Sequence, residues 1–294
     1  MTAGIQAPAS PILGSLASLS VRSMEFELAI DPPLPGRVLP ASALRSIAGN
    51  HLFAADHDAF LRWFEPGKAE GSDKPPAFRM SGPMPGSRED GRYRFTATTW
   101  DAGGEFLEVL RGILHALERD RAHAYGVRIT WCGPVREGRL ADGAPDCPSR
   151  LTLALDSPLR LRKYVDPDPN RTDRSRAWVR DPAAVGLDDI LQACLLRLRK
   201  VSATYAAGED GGPPLHDLDV AACAPGQAEP RLVSRPAAAL KTRNKRKAND
   251  LSGLVGSIHV LTPNPLQLAL LVAGSVLGAG ANTSEGCGSL SIHA

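Results

Sequence analysis

Apolar and polar side chains alternate with two different periods along this 294-residue chain. A period of two is typical of half-buried strands, whereas a period near 3.6 is typical of helices with one apolar face. The predicted strands are 22–30, 93–100, 127–135, 151–155, 159–161, 254–260 and 290–292. The predicted helices are 40–53, with Ser42 as its N-cap, then 56–64, 104–119, 187–201 and 266–277. Residues 65–91 are rich in Gly, Pro and Ser, so we expect a long loop there.

The order of these elements predicts the fold. Within 21–149 a strand and helix are followed by a second strand, a helix and a strand, which is the order of a ferredoxin-like domain with a split βαβ repeat. The same outline recurs within 150–294. We therefore predict an α+β fold of two tandem ferredoxin-like (RRM-like) domains, each an antiparallel sheet with helices on one face. The length suits two domains, with one large domain as the alternative. Residues 1–20 are rich in Ala, Ser, Pro and Gly and predict a flexible arm.

Charge is balanced overall but clustered locally. The 34 Lys and Arg exceed the 32 Asp and Glu by two, which by itself indicates no polyanionic partner. However, the basic segment 231–247 carries seven Lys and Arg and no acidic residue. A second stretch, 160–180, carries seven more, diluted by aspartates. The basic segment, inserted before the third strand of the second half, suits RNA phosphates; a solvated loop or a protein-binding tail is the alternative.

Cysteine usage and hydropathy bear on location and metal binding. The five cysteines are scattered and form no CxxC pair, which favours reduced thiols and argues against a zinc site. The longest apolar run, 266–277, is too short to span a bilayer, and no basic region precedes the apolar residues at the N-terminus. We expect a cytoplasmic protein with no membrane partner, no metal and no cofactor.

The glycine-rich segment 274–288 follows the last predicted helix and precedes the last strand. Its five glycines lack side chains that would obstruct a ligand, and Asn282, Thr283 and Ser284 add small polar groups. Such a loop can bring backbone N–H groups against a phosphate. The alternative is a helix C-cap followed by a turn. A Walker loop is excluded because its GxxxxGK[ST] pattern is missing.

Four stretches together resemble a known family. The string 238–292 joins the basic segment to Leu-Ser-Gly-Leu-Val-Gly-Ser-Ile at 251–258 and then to the glycine-rich segment. Upstream, in the family's order, lie Leu-Pro-Ala-Ser-Ala-Leu-Arg-Ser-Ile-Ala-Gly at 39–49, Pro-Pro-Ala-Phe at 75–78, and Leu-Asp-Ser-Pro-Leu-Arg-Leu at 155–161. The chain in these stretches resembles the CRISPR repeat-RNA (pre-crRNA) processing endoribonucleases of the RAMP superfamily.

The resemblance implies tandem ferredoxin-like domains that bind a CRISPR repeat hairpin and cut it to release guide RNAs (crRNAs). In this family the cut needs no metal: a 2′-hydroxyl attacks the adjacent phosphate and leaves a 2′,3′-cyclic phosphate and a 5′-hydroxyl. Such a reaction needs a base, an acid and cations for the charge on phosphorus. The implied partners are repeat RNA and other subunits of a CRISPR effector complex.

The resemblance also suggests catalytic residues. His51 lies at the end of the first predicted helix, where these enzymes often carry a histidine, and His57 is the second candidate. One common form of the family has a histidine directly after the glycine that matches Gly49, whereas this chain has Asn50. A site that works mainly through arginines such as Arg45 is therefore open, and a structural hydrogen bond is the alternative role of His51.

The predicted RNA contacts fall into three groups. The first is the set of cations in the basic segment, the second is a pair of arginines after the Leu-Asp-Ser-Pro turn that suits a groove between the domains, and the third is the glycine-rich segment. They are Lys241, Arg243, Lys245, Arg246 and Lys247; Arg160 and Arg162; and Gly278, Gly280, Asn282, Thr283, Ser284, Gly286 and Gly288.

Two other functions stay open at this point. Related RAMP proteins share the fold without cutting RNA, so a non-catalytic RNA-binding subunit of a CRISPR effector complex is one. Asn50 and the lack of a clear Tyr, His and Lys trio favour it. The other is a small-molecule enzyme that uses the glycine-rich segment for a nucleotide phosphate.

Overall fold

A computed structural model describes residues 16, 18–70, 74–82, 91–101, 104–119, 125–140, 148–164, 176–205, 215, 227–239 and 250–293. Its strands are β1 Ser20–Asp31, β2 Phe78–Ser81, β3 Arg92–Thr99, β4 Gly126–Cys132, β5 Arg136–Arg139, β6 Arg150–Leu159, β7 Arg162–Tyr164, β8 Arg176–Trp178, β9 Gln227–Arg235, β10 Gly253–Leu261 and β11 Leu290–His293. Its helices are α1 Pro40–Ala55, α2 His57–Phe64, α3 Pro66–Glu70, α4 Glu105–Arg119, α5 Leu187–Tyr205 and α6 Pro265–Leu277.

Two antiparallel sheets repeat one topology. The first has the strand order β2-β3-β1-β4, with β5 pairing with the start of β1. The second has the order β11-β6-β10-β9. Numbered within each half, both orders read 4-1-3-2, which is the ferredoxin-like arrangement. The predicted fold class is confirmed.

Each sheet buries one face against helices. In the first half, aromatic rings fill this layer: Phe78 stacks on Phe106 of α4 with 3.9 Å between ring centroids, and Phe26 stacks on Phe95 across β1 and β3. In the second half, leucines of α5 and α6 pack on Leu153 and Ile258. Burial of such side chains is the main stabilising contribution to both halves.

Two arginines converge on the C-terminal end of α6: buried Arg79 joins the first half to the second, and half-buried Arg197 joins α5 to α6. Arg79 of β2 donates to the carbonyls of Ser275 and Val276 at 2.8 and 3.0 Å and to the Ser289 hydroxyl. Arg197 of α5 donates to the Leu277 carbonyl at 3.3 Å. Cations are favourable where a helix ends in unpaired carbonyls. Burial lowers the pKa of both arginines to about 10, so both remain charged at neutral pH.

The start of the first helix differs from the prediction. Ser42 is wrong as the N-cap, because α1 begins at Pro40 with Leu39 as its N-cap, and Ser42 is buried inside the first turn. Proline suits the first helical position, since its fixed φ is already helical and its missing N–H is not needed there. By contrast, Asp56 caps α2, accepting from the Ala59 N–H at 2.9 Å.

Three regions contain helices or strands that the sequence pattern did not predict. The predicted loop 65–91 includes α3 and β2, which pairs with β3 although it is surrounded by Pro and Gly. Directly after the predicted strand 127–135, residues 136–139 form β5, whose pairing with β1 offsets its polar composition. The start of the basic segment is part of a strand, because residues 231–235 pair with β10 as part of β9.

The predicted flexible arm 1–20 is also too long. Leu16 and Leu19 are fully buried in the core of the second half, and β1 already begins at Ser20. Apolar side chains in a polar, small-residue context reach this core and extend the folded part of the chain. None of the described helices is long and apolar enough to cross a membrane.

Candidate nucleic-acid interface

The glycine-rich segment folds back on itself after α6 ends. Gly280 has φ 74° and Gly288 has φ 67°, a backbone region that favours glycine. A Cβ at Gly280 would lie 2.5 Å from the Arg160 carbonyl oxygen, and one at Gly288 would overlap the Ala279 carbonyl. Both positions therefore require glycine, for tight packing as well as for φ.

Hydrogen bonds hold this shape and leave a few amides available. The N–H of Ala281 donates to the Arg160 carbonyl at 3.0 Å, and the N–H of Gly288 donates to the Pro158 carbonyl at 3.0 Å. Among the described residues, no group accepts a hydrogen bond from the amides of Gly280, Thr283 and Ser284. Free amides in such a turn are suited to anions.

Arg160 and Arg162 both contact one aromatic ring, that of Trp178. The guanidinium carbon of Arg160 lies 3.9 Å from the Trp178 ring centroid, and that of Arg162 lies 4.1 Å from it. Arg160 is buried and also donates from Nη1 to Asn282 Oδ1 at 2.5 Å. The stack and this hydrogen bond orient the Arg160 guanidinium against the glycine-rich segment, and Arg162 extends the positive surface outward.

These features line one cleft of about 510 Å³. The glycine-rich segment and Arg160 form one wall, α5 forms the opposite wall, and Lys74 with two prolines contributes from the first half. Five cations and one carboxylate line it: Lys74, Arg160, Arg162, Arg197, Lys200 and Asp189. A concave surface with this charge attracts polyanions such as nucleic acids.

Several lining residues were not predicted from the sequence. They are Lys74 and the α5 side chains Gln192, Leu196 and Lys200. Trp178, which contacts the lining residues Arg160 and Arg162, was not predicted either. The α5 residues recur every four positions on one face, and Leu196 is 51% exposed on it. An exposed leucine among polar residues at helical spacing is the signal that could have located this wall.

The structure brings some predicted site residues together in the cleft. Arg160, Arg162, Gly280, Asn282, Thr283 and Ser284 line it. Gly278, Gly286 and Gly288 shape the segment behind it, each with φ above 60°. The predicted contacts Lys241, Arg243, Lys245, Arg246 and Lys247 lie outside the described residues.

The start of the basic segment and the residues that follow it from 250 onward are described. Ala238 and Asp250 pair in a β-bridge, and Ala238 also bridges to Val38 just before α1. Nearby Leu39, Ala237, Ala239, Leu251 and Cys287 form a small core. The described residues before 240 and after 249 therefore lie beside the glycine-rich segment, which contains Cys287.

The three candidate catalytic residues lie on α1 and α2, outside the cleft lining. Arg45 is half-buried: its Nη2 donates to the Phe64 carbonyl at 3.1 Å, and desolvation lowers its pKa, opposed by Glu285 and Glu65. His51 is half-buried near the end of α1. His57 is exposed at the start of α2, where its ring meets the edge of Phe53 at 4.7 Å.

The separation can be estimated along α1. Ala41 packs against Gly286 of the glycine-rich segment. His51 is ten residues further on, which is about 15 Å along a helix axis. The histidine thus stands on the same helix that supports the glycine-rich segment, but roughly two to three turns away.

Fold and cleft together define an α+β protein with two ferredoxin-like halves and a basic groove built mainly by the second half. Comparison with protein-family models finds no match, and comparison with curated protein sequences finds none either. Solved structures do match. A Cas6 product complex shows 15% identity and a TM-score of 0.57, covering 93% of this chain and 100% of that one.

Two further structures agree. A Cas6-related protein from Pyrococcus furiosus shows 12% identity and a TM-score of 0.52 over 93% of this chain and 98% of that one. A partial Cas6-RT-Cas1–Cas2 complex shows 12% identity and a TM-score of 0.50 over 94% of this chain and 46% of that one. The chain therefore has the fold of the Cas6 proteins, and the predicted RAMP resemblance is confirmed at the level of the fold.

Proposed function

We propose that this chain binds CRISPR repeat RNA in the cleft and processes precursor crRNA into guide RNAs. The observation that carries the proposal is the cleft itself, where five cations and the glycine-rich segment converge. The Cas6 product complex with a similar fold supports the same assignment. The Cas6-RT-Cas1–Cas2 complex supports a partnership with other CRISPR proteins.

The cleft suits a phosphodiester backbone. Arg162 and Lys200 are exposed and neutralise phosphate charge, while the amides of Gly280, Thr283 and Ser284 donate hydrogen bonds. Trp178 keeps Arg160 and Arg162 stacked, so the positive groups are oriented before RNA arrives. Preoriented donors lose less conformational entropy on binding than freely rotating ones.

Cleavage proceeds by attack of a 2′-hydroxyl on the neighbouring phosphate. The O2′–P bond forms, the P–O5′ bond breaks, and the products carry a 2′,3′-cyclic phosphate and a 5′-hydroxyl. We assign His51 as the base that takes the 2′-hydroxyl proton, with His57 as the second candidate, and a protonated side chain or water gives a proton to the leaving O5′. In a site that works mainly through arginines, Arg45 supplies positive charge and not a base. The cations of the cleft stabilise the extra charge on phosphorus. The reaction uses no metal.

One observation favours a second candidate function, that of a non-catalytic RNA-binding subunit. In the described part of the chain, the residues that line the cleft include no histidine. A cleft with cations but no nearby proton acceptor binds RNA without cutting it. The two functions differ in one measurable property, which is the appearance of product.

The deciding experiment uses the cognate repeat RNA, labelled at its 5′ end and incubated in EDTA. We expect cleavage with a 2′,3′-cyclic phosphate end and none when the nucleotide before the cut is 2′-deoxy. Cleavage of the 2′-deoxy RNA contradicts the mechanism. Tight binding with no product from the unmodified RNA assigns the non-catalytic function.

The same assay tests the choice of base. We expect His51→Ala to slow cleavage by about 10²–10⁴-fold with little change in RNA affinity, the usual contribution of a general base. His115→Ala is the matched control, since His115 is an exposed histidine on α4 that pairs with Glu118. Equal cleavage rates for these two variants would mean that another group removes the proton.

A further inference from the structure

Besides the cleft, the protein has a hollow of about 460 Å³ on the face of the second sheet that points away from α5 and α6. In β6, Leu151 and Leu153 are buried in the core under the helices, whereas Thr152 between them is only half-buried. Successive side chains in a strand point to opposite faces, so Thr152 points away from the helices. Thr152 lines the hollow.

Strand register places four polar side chains in one row across this face. His259 of β10 lies opposite Thr152 and also opposite Glu229 of β9, and His293 of β11 lies opposite Thr152 on its other side. The row therefore reads Glu229, His259, Thr152, His293. Directly opposed residues have Cβ atoms about 4.5–5.5 Å apart, so neighbouring side chains in the row can act on one ligand.

Two arginines flank the row. Arg150 precedes Thr152 by two residues and Arg231 follows Glu229 by two, so both lie on the same face as the row. Both line the hollow. Within the described ranges, no carboxylate forms an ion pair with either guanidinium. The register places Arg150 and Arg231 on opposite sides of the row, with His259 of β10 between them, so each contributes a positive charge to one side of the hollow.

Hydroxyl groups orient both imidazoles. Thr152 Oγ1 and His259 Nδ1 lie 3.1 Å apart, and Ser291 Oγ and His293 Nε2 also lie 3.1 Å apart. Each contact engages one ring nitrogen and leaves the other, Nε2 of His259 and Nδ1 of His293, for a ligand. The hollow therefore offers two guanidiniums and two oriented imidazoles, with a single carboxylate at the β9 end of the row.

We propose that this hollow is a binding site for a phosphate group. Guanidiniums bind phosphate oxygens with paired, charge-assisted hydrogen bonds, and the imidazole nitrogens supply further contacts. Glu229, at the end of the row, accepts a hydrogen bond from a hydroxyl or amino group on the rest of the ligand. The phosphate belongs either to the backbone of a single RNA strand or to a phosphate monoester.

This site is separate from the cleft. Arg150 and Arg160 stand at opposite ends of β6, ten residues apart, which is about 33 Å along a strand. The two sites also lie on opposite faces of the sheet. The inference does not depend on repeat-RNA processing, and its failure would leave the proposed function of the cleft untouched.

The test follows the imidazole resonances of His259 and His293 by NMR at pH 6.5 and constant ionic strength. One arm adds inorganic phosphate, and the other adds hexauridylate with hydroxyl groups at both ends, which carries only phosphodiesters. We expect saturable shifts in at least one arm. Shifts with only one probe identify whether the phosphate comes from a monoester or from an RNA backbone. Shifts with both probes mean that the site recognises the phosphate group in either form.

Variants make the test specific. The double variant Arg150→Gln/Arg231→Gln should lower the affinity for the probe that shifts these resonances by about tenfold or more, since charge-assisted hydrogen bonds are lost. Arg128→Gln/Arg136→Gln removes two charges from exposed positions of the first half and should leave the affinity unchanged. The proposal is overturned if neither probe shifts the imidazole resonances, or if both double variants bind equally well.

Discussion

Two pairs of arginines in this protein contact different kinds of group. Arg79 and Arg197 converge on the last carbonyls of α6, where their guanidiniums are buried. Arg160 and Arg162 lie in the cleft instead, where both guanidiniums contact the ring of Trp178. The first pair meets acceptors supplied by the protein, whereas the second meets an aromatic ring that leaves most donors unused.

The group that a guanidinium contacts decides whether the arginine stabilises the fold or binds a ligand. Carbonyl oxygens occupy the donors of a guanidinium, so Arg79 and Arg197 join structural elements, although Arg197 also adds its charge to the cleft. An aromatic face holds a guanidinium in place without consuming its N–H groups. Arg162, more exposed than Arg160, therefore keeps its charge and hydrogen bonds for RNA. The comparison predicts effects on stability for one pair and on affinity for the other.

The largest expected effect is on stability. Arg79→Ala removes three hydrogen bonds and leaves the Ser275 and Val276 carbonyls unpaired, so the free energy of unfolding should fall by about 3 kcal/mol. Chemical denaturation measures it. Arg94→Ala on the neighbouring strand, where the side chain is 62% exposed, should change it by less than about 0.5 kcal/mol. Similar losses in the two variants would remove the structural role of Arg79.

A smaller effect is expected on RNA affinity from Arg160→Lys, which keeps the charge but not the planar group. The lysine loses the stack on Trp178 and the geometry of the Asn282 hydrogen bond, so repeat-RNA binding should weaken by about tenfold. Fluorescence anisotropy measures the dissociation constant. Arg180→Lys, at an exposed arginine paired with Asp250, is the control. Wild-type affinity in Arg160→Lys would mean that charge alone matters.

The smallest effect is expected from Trp178→Leu. Both guanidiniums lose their aromatic partner but keep their charge, which should weaken binding by about 1 kcal/mol, or roughly fivefold. Trp178→Phe retains a ring and should lose less. If the leucine variant binds RNA as tightly as the phenylalanine variant, the stack does not orient the arginines.

The fold was predictable because its signals are local. Alternation in β1 and β3 and the apolar stripe of α4 follow directly from neighbouring residues. β2 was missed because four residues amid Pro and Gly have too little pattern, and only pairing with β3 makes them a strand. The N-cap at Ser42 failed because Pro40 already fixes the helix start.

The site was predictable only in part, for the same physical reason. The glycine-rich segment and Arg160 each belong to a local sequence motif, and both line the cleft. Lys200 lines the same cleft, and Trp178 contacts its arginines, from elements that are distant in sequence, so no local pattern joins them to the cleft. His51 remains a prediction, because its role depends on where RNA lies relative to α1.

The central claim is that the cleft binds RNA through its phosphates, and the salt dependence of repeat-RNA affinity tests it most directly. Arg162→Gln/Lys200→Gln removes two exposed cations of the cleft. The slope of log affinity against log salt should fall in magnitude by about 1.5–2 units relative to wild type, one counterion for each lost phosphate contact. An unchanged slope would contradict RNA binding in this cleft.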